Sequence, residues 1–128
     1  AHALAAHGLV RATKDLDVWV RPTRENGVSV VAALQDFGAP LHGLTAEDIA
    51  GGQVVFQIGV EPIRIDVLTS IDGVEFDDAW ADRVASRFHD QEAFVLSRPR
   101  LIQNKRAAGR EQDLVDVHWL EKHPAGEP

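Results

Sequence analysis

The chain has 128 residues, 45% of them hydrophobic and 26% charged, which is typical of one compact globular domain with no room for a second. It contains no cysteine, which excludes disulfides and thiolate metal sites and favours a reducing, cytoplasmic compartment. A net charge of −7, from 13 basic and 20 acidic residues, argues against nonspecific binding to the nucleic-acid backbone over a broad surface. No apolar run approaches the roughly 20 residues of a membrane span, so we expect no membrane contact.

The first half of the chain predicts helices alternating with strands. Leu16, Val18 and Val20 alternate with more polar neighbours, which is typical of a strand with one buried face. Two later apolar runs flank Glu61 and Pro62 and predict an antiparallel hairpin. The predicted elements are a short helix over 2–7, strands over 15–20, 53–59 and 63–68, an amphipathic helix over 24–37, and a capped turn from Thr45 to Asp48.

The second half predicts three helices and one short strand. Apolar residues at helical spacing predict a helix over 75–85, and residues 93–96 predict a strand. Pro99 suits the first turn of a helix over about 99–108, and Gly109 separates it from another over about 111–121. Residues 123–128 read as a tail. The order predicts an α/β (α+β) domain over residues 1–122, with a mixed sheet and helices packed on it.

Asp15 and Asp17 form the first candidate site. Residues two apart on a strand project from the same face, about 7 Å apart at the backbone, so the two carboxylates repel each other. Mg²⁺ or Mn²⁺ relieves such repulsion, because a hard cation takes carboxylate oxygens at about 2.1 Å while keeping waters and substrate phosphates. The alternative is a pair of exposed acids on the solvent face of a strand.

Asp66 strengthens the metal interpretation. It interrupts the otherwise largely apolar run Ile63 to Leu68, where an acidic side chain needs a partner. If its strand neighbours the first one, three carboxylates could hold two ions roughly 4 Å apart, as two-metal sites for in-line displacement at phosphorus do. Asp66 would then act as a ligand or as a base.

Residues 98–110 form a local basic segment with no acidic residue. It contains Arg98, Arg100, Lys105, Arg106 and Arg110. The segment could contact phosphate, or it could be the solvated face of a helix. On spacing alone, Arg110 and Asp113 favour a local helix pair, and Asp116 is as readily a surface acid.

A resemblance to a known family runs along nearly the whole chain. It is carried by the segments HALAAHG, RATKDLDVWV, RIDVLTSIDG and LIQNKRAAGREQDLVDV. These resemble the small bacterial nucleotidyltransferase-like family related to AbiEii and MenA-type toxins, which is similar in fold to the DNA polymerase β superfamily. The resemblance implies a twisted mixed sheet with helices on its faces.

The resemblance also implies roles for particular residues. Arg11, Thr13, Asp15 and Asp17 match the family's R-x-T-x-D-x-D element in order, which implies that the two aspartates bind metal. Asp66 matches the third carboxylate. Arg11 and Thr13 are expected to contribute to nucleotide binding.

Near the end of the chain, Lys105 fits the family's helical lysine, which implies a contact with the triphosphate. Arg110, Asp113 and Asp116 fit its R-x-x-D-x-x-D ending, and Arg110 is expected to contribute to nucleotide binding.

The function implied is metal-dependent transfer of a nucleotidyl group from a nucleoside triphosphate to a hydroxyl. The acceptor would be RNA, particularly a tRNA 3′ end, or a protein side chain, as in toxin–antitoxin systems with a cognate antitoxin. The family usually places an apolar strand and a glycine-rich turn before its first helix, whereas this sequence begins at Ala1. We therefore keep the alternative of a noncatalytic module that binds nucleotide or a partner, and rank a metal-dependent nuclease third. An unpaired sheet edge would favour a homodimer.

Overall fold

The structure, a computed structural model, describes residues 3, 6, 7, 15–60, 63–88 and 90–123. Their helices and strands confirm the predicted α+β class. The chain divides into two compact units, a first unit of residues 13–70 and a second unit of residues 71–128 with residues 1–12. None of the helices among the described residues is long and apolar enough to cross a membrane.

The first unit is built on a three-stranded mixed sheet. Its strands are β1 (Asp15–Trp19), β2 (Val55–Val60) and β3 (Ile63–Leu68). Central β3 pairs with β1 in parallel and with β2 antiparallel, so the predicted hairpin of the last two strands is confirmed. Parallel strands need a long crossover connection, and residues 20–62 link β1 to its parallel partner β3 through two helices and β2.

The crossover helices are α1 (Arg24–Phe37) and α2 (Ala46–Ala50). The Thr23 hydroxyl accepts a hydrogen bond from the backbone N–H of Asn26 and begins α1, and Gly38 ends it at φ 87°. Thr45 and Asp48 cap α2 reciprocally, as the sequence predicted. The two helices meet at Gly27, where a Cβ atom would lie only 2.7 Å from the carbonyl oxygen of Ala46.

The second unit begins with helix α3 (Phe76–Ala81) and a two-stranded antiparallel sheet of β4 (Val84–Phe88) and β5 (Gln91–Val95). The prediction of a helix as far as residue 85 is wrong. The chain leaves the helix after Ala81, and Val84 pairs with Val95 across the sheet. A strand was predicted over 93–96, and β5 confirms it with an earlier start.

The second unit ends with helices α4 (Arg98–Ala108) and α5 (Glu111–Lys122), as predicted. Ser97 caps α4, and Gly109 ends it at φ 68°. The core between them is formed by Leu101 and Leu120. Of the short helix predicted over 2–7, Ala3 and Ala6 are described and helical. The Glu61–Pro62 turn and residues 124–128 of the predicted tail lie outside the described residues.

Candidate metal and nucleotide site

Asp17 and Asp66 are direct partners across the parallel strands β1 and β3. Because paired residues in adjacent strands project from the same face, these two acids share one face of the sheet, with backbones about 4.8 Å apart. Asp15, two residues earlier in β1, is the register partner of Arg64. The register therefore brings all three aspartates predicted as metal ligands to neighbouring backbone positions.

The two described carboxylates differ in environment. Asp66 belongs to the central strand and is buried, whereas Asp17 lies on β1 and is exposed. On its other side Asp66 is paired with Gln57 of β2, which is also exposed. The face thus offers one sheltered carboxylate flanked by an accessible carboxylate and an accessible amide.

Arg64 forms an ion pair with Asp66 on this face. Its Nε lies 3.1 Å from Oδ1 of Asp66, and its Nη2 donates a hydrogen bond of 3.4 Å to Oδ2. The contact to Oδ1 is close but not aligned as a hydrogen bond, so this buried oxygen accepts none from the part of the chain that is described. A buried carboxylate oxygen without a hydrogen bond is an atom that a hard cation can take.

A divalent metal of the Mg²⁺ type fits the residues present. Such an ion is typically held by one or two carboxylates, with waters and substrate phosphates completing its shell. Asp66 and Asp17 can supply those two carboxylates. The described side chains contain no group of three or more histidine, cysteine or acidic residues arranged around one point. The Asp15 side chain, and all of Arg11 and Thr13, lie outside the described residues, so their predicted roles stay predictions.

The sequence interpretation did not include Gln57 or Arg64 in the site. Both follow from the predicted hairpin, because residues equidistant from its turn are paired and residues two apart on a strand share a face. Gln57 is thereby placed beside Asp66, and Arg64 two residues before it. The sequence signal for both residues is their distance along the chain from the predicted turn.

Lys105, predicted to contact the triphosphate, is engaged within the second unit. Its ammonium Nζ lies 2.9 Å from Oδ2 of Asp116 and 3.4 Å from Oδ1 of Asp113. Asp116 has none of its surface exposed, so its interpretation as a surface acid is wrong. Burial is tolerated because Lys105 supplies a counter-charge and Gln112 donates a hydrogen bond of 3.0 Å. A phosphate contact by Lys105 stays a prediction.

Arg110 and Asp113 form the local pair that their spacing favours. Arg110 Nε lies 2.7 Å from Oδ2 of Asp113, and the Arg110 backbone N–H donates to the same oxygen at 3.2 Å. These hydrogen bonds hold the pKa of Asp113 below its usual value, against the opposing effect of burial, and raise the pKa of Arg110. The Arg110 side chain remains 79% exposed, so it can still meet a phosphate.

The remaining arginines of the basic segment contact other groups of the second unit. Arg98 donates to the backbone carbonyls of Leu120 and His7 at 3.0 and 3.2 Å. Arg100 pairs with Asp82 at 3.1 Å, and Arg106 pairs with Glu121. This segment therefore stabilises the unit through its own contacts, and its positive charge is largely compensated locally.

The chain matches no protein-family model, no curated protein and no solved structure. What it does has to be argued from its own residues.

Proposed function

We propose that the chain is a metal-dependent nucleotidyltransferase that moves a nucleoside monophosphate from a nucleoside triphosphate to a hydroxyl of RNA, particularly tRNA, or of a protein. The observation that carries the proposal is the register of β1 and β3, which pairs Asp17 with Asp66 on one face and sets Asp15 two residues away. The resemblance of the sequence to the nucleotidyltransferase-like family supports the same assignment.

Each acidic residue has a role in the proposal. Asp66 offers a sheltered carboxylate oxygen that accepts no hydrogen bond from the described residues, which suits a fixed metal ligand. Asp17 is exposed beside it and suits a ligand of a metal that also binds the nucleotide's phosphates. Asp15 is proposed as the third carboxylate. When bound, Mg²⁺ or Mn²⁺ would supply charge neutralisation at the phosphates and a hard Lewis acid.

The transfer forms a bond between the acceptor oxygen and the α-phosphorus and breaks the bond between that phosphorus and the α–β bridging oxygen. Pyrophosphate leaves with the electrons of the broken bond, and the acceptor proton passes to water. The residues of the site contribute positioning and electrostatics, which are the main sources of catalysis in phosphoryl transfer. Thr13, which lies two residues before Asp15 in the same unit, is proposed as a contact of the nucleotide's phosphates.

The proposal also includes the cellular compartment and the protein partners of the chain. The absence of cysteine and the use of nucleoside triphosphates favour the cytoplasm. The resemblance to toxins of toxin–antitoxin systems supports a cognate antitoxin as a partner. In the described part of the first unit, β1 and β2 are the edge strands, and an edge with unpaired backbone groups favours a homodimer.

The direct test is incubation with each of the four α-³²P-labelled nucleoside triphosphates, Mg²⁺, and total tRNA or total protein. We expect label transfer by the wild type and none by Asp15→Asn/Asp17→Asn. Asp36→Asn is the matched control, because Asp36 is an exposed acid of the same unit on α1. Equal labelling by the wild type and the double variant would reject the catalytic assignment.

Two further measurements separate the alternatives. Calorimetry that shows tight binding of Mg²⁺ and nucleotide without label transfer would favour a noncatalytic binding module. Phosphodiester cleavage of RNA or DNA in the absence of nucleoside triphosphate would favour a nuclease, since the same carboxylates could hold its metal.

A further inference from the structure

Arg64 is a cation inside the carboxylate face of the first unit. Its guanidinium contacts both oxygens of Asp66, at 3.1 and 3.4 Å. The two side chains are sheltered, with 30% of Arg64 and 12% of Asp66 exposed. The pair is therefore screened less by solvent than a surface ion pair would be.

This position puts Arg64 in competition with any metal bound by Asp66. A metal on a carboxylate oxygen sits about 2.1 Å from it, while the guanidinium nitrogen is 3.1 Å from the same oxygen. Two cations at such distances repel each other strongly where solvent screening is weak. Metal binding at this oxygen therefore requires the guanidinium to move away from Asp66.

A polyphosphate is the anion that suits Arg64. The planar fork of a guanidinium binds phosphate oxygens with two parallel hydrogen bonds, as it binds carboxylates. Arg64 is the register partner of Asp15 and shares the face of Asp17 and Asp66, so phosphates drawn to a metal on these acids would approach it.

We propose that Arg64 regulates the site: its guanidinium neutralises Asp66 in the metal-free protein and opposes metal binding until a polyphosphate takes over that guanidinium. Metal and nucleotide then bind cooperatively, and metal alone binds weakly. The inference rests on the proposed metal site and adds to it a residue that couples metal to substrate.

The first test is Mn²⁺ binding measured by calorimetry in the absence of nucleotide. Removal of a cation that contacts a ligand carboxylate should strengthen binding in Arg64→Gln by roughly tenfold or more. Arg24→Gln is the matched control, since it removes the same charge from an exposed ion pair with Glu47 in the same unit. We expect Arg24→Gln to bind Mn²⁺ as the wild type does and Asp66→Asn to lose binding.

The outcomes separate this inference from the function on which it rests. Equal Mn²⁺ affinity for the wild type, Arg64→Gln and Arg24→Gln, with loss in Asp66→Asn, would overturn the role of Arg64 and leave the metal site standing. Binding that Asp66→Asn leaves unchanged would reject the metal site, and the inference with it.

A second measurement uses the wild type alone and does not depend on how the variants fold. The Arg64 Nε–H signal in the ¹H–¹⁵N spectrum of the labelled protein should shift when Mg²⁺ is added together with inorganic tripolyphosphate. The melting-temperature increase caused by both together should exceed the sum of their separate effects. A signal that stays in place, with additive increases, would overturn the proposed coupling.

Discussion

The ammonium of Lys105 lies 2.9 Å from a carboxylate oxygen of Asp116, and Asp116 is fully buried. This pair joins the end of α4 to the middle of α5, and Asp113 extends it on the same side. A buried ion pair adds little net stability compared with apolar residues, but loss of one partner leaves a charge without compensation. The stable packing of both helices therefore depends on Lys105.

Lys105→Met should lower the free energy of unfolding by about 3–5 kcal/mol, because the carboxylate of Asp116 would stay buried without its cation. Urea denaturation followed by circular dichroism measures this difference. Lys122→Met is the control, since Lys122 is exposed in the last turn of the same helix pair, and should change stability by less than about 0.5 kcal/mol. The double variant Lys105→Met/Asp116→Leu should recover much of the loss. Similar values for the two single variants would contradict the role of the pair.

Stability should fall at acid pH partly through Asp113. Hydrogen bonds from Arg110 hold the pKa of Asp113 below its ordinary value of 3.8. A carboxyl with a depressed pKa in the folded state contributes stability above its unfolded pKa and loses it as the pH falls through the folded pKa. We expect part of the free energy of unfolding to be lost below about pH 4, as measured by denaturation at a series of pH values.

Arg110→Gln should flatten this part of the pH profile, because the pKa of Asp113 would move back towards its ordinary value. Arg106→Gln is the comparison, since it removes the same charge from the same unit, where Arg106 pairs with the half-exposed Glu121. If the two variants gave the same profile below pH 4, Arg110 would not be the cause of the depressed pKa.

The sequence predicted most of the first unit correctly, because its signals are local. The helical spacing of apolar residues up to Gly38 predicts α1, and the alternating apolar residues of β3 give that strand its limits. The burial of Asp116 could not be predicted in this way. It depends on Lys105 of the preceding helix, eleven residues earlier, and spacing along one helix carries no information on contacts between helices.

The positions of the candidate site residues could be derived from the sequence, but the ion pair between Arg64 and Asp66 could not. Asp15, Asp17 and Asp66 stand out as charges in strands, whereas Arg64 looks like the solvent-facing residue that an alternating strand normally has. Its pairing with Asp66 depends on the rotamers of two side chains on one face. Strand β4 was missed because Val84 continues the helical spacing of α3, and only its pairing with Val95 identifies it as a strand residue.

Gly27→Ala should destabilise the first unit although alanine is the better helix former. The new Cβ atom would lie 2.7 Å from the carbonyl oxygen of Ala46 and 3.0 Å from its Cα, and both are backbone atoms that cannot turn away. We expect a loss of about 1–3 kcal/mol in urea denaturation, as for other overpacked contacts. Ser29→Ala, at an exposed position of the same helix, should be neutral or slightly stabilising. A stabilising Gly27→Ala would show that α1 and α2 can separate without cost.

Asp17→Asn should have opposite effects on the melting temperature of the metal-free protein and on its stabilisation by metal. Asp17 and Asp66 are directly paired acids, and like charges opposite each other destabilise a sheet. In the presence of EDTA, the variant should therefore melt at a slightly higher temperature than the wild type. With millimolar Mg²⁺ and inorganic tripolyphosphate the order should reverse, because only the wild type keeps both carboxylates of the proposed metal site. Asp36→Asn, which changes an exposed acid away from this face, should follow the wild type in both conditions. If Asp17→Asn gained as much stability from the metal as the wild type does, Asp17 would not be a ligand and its pairing with Asp66 would be structural alone.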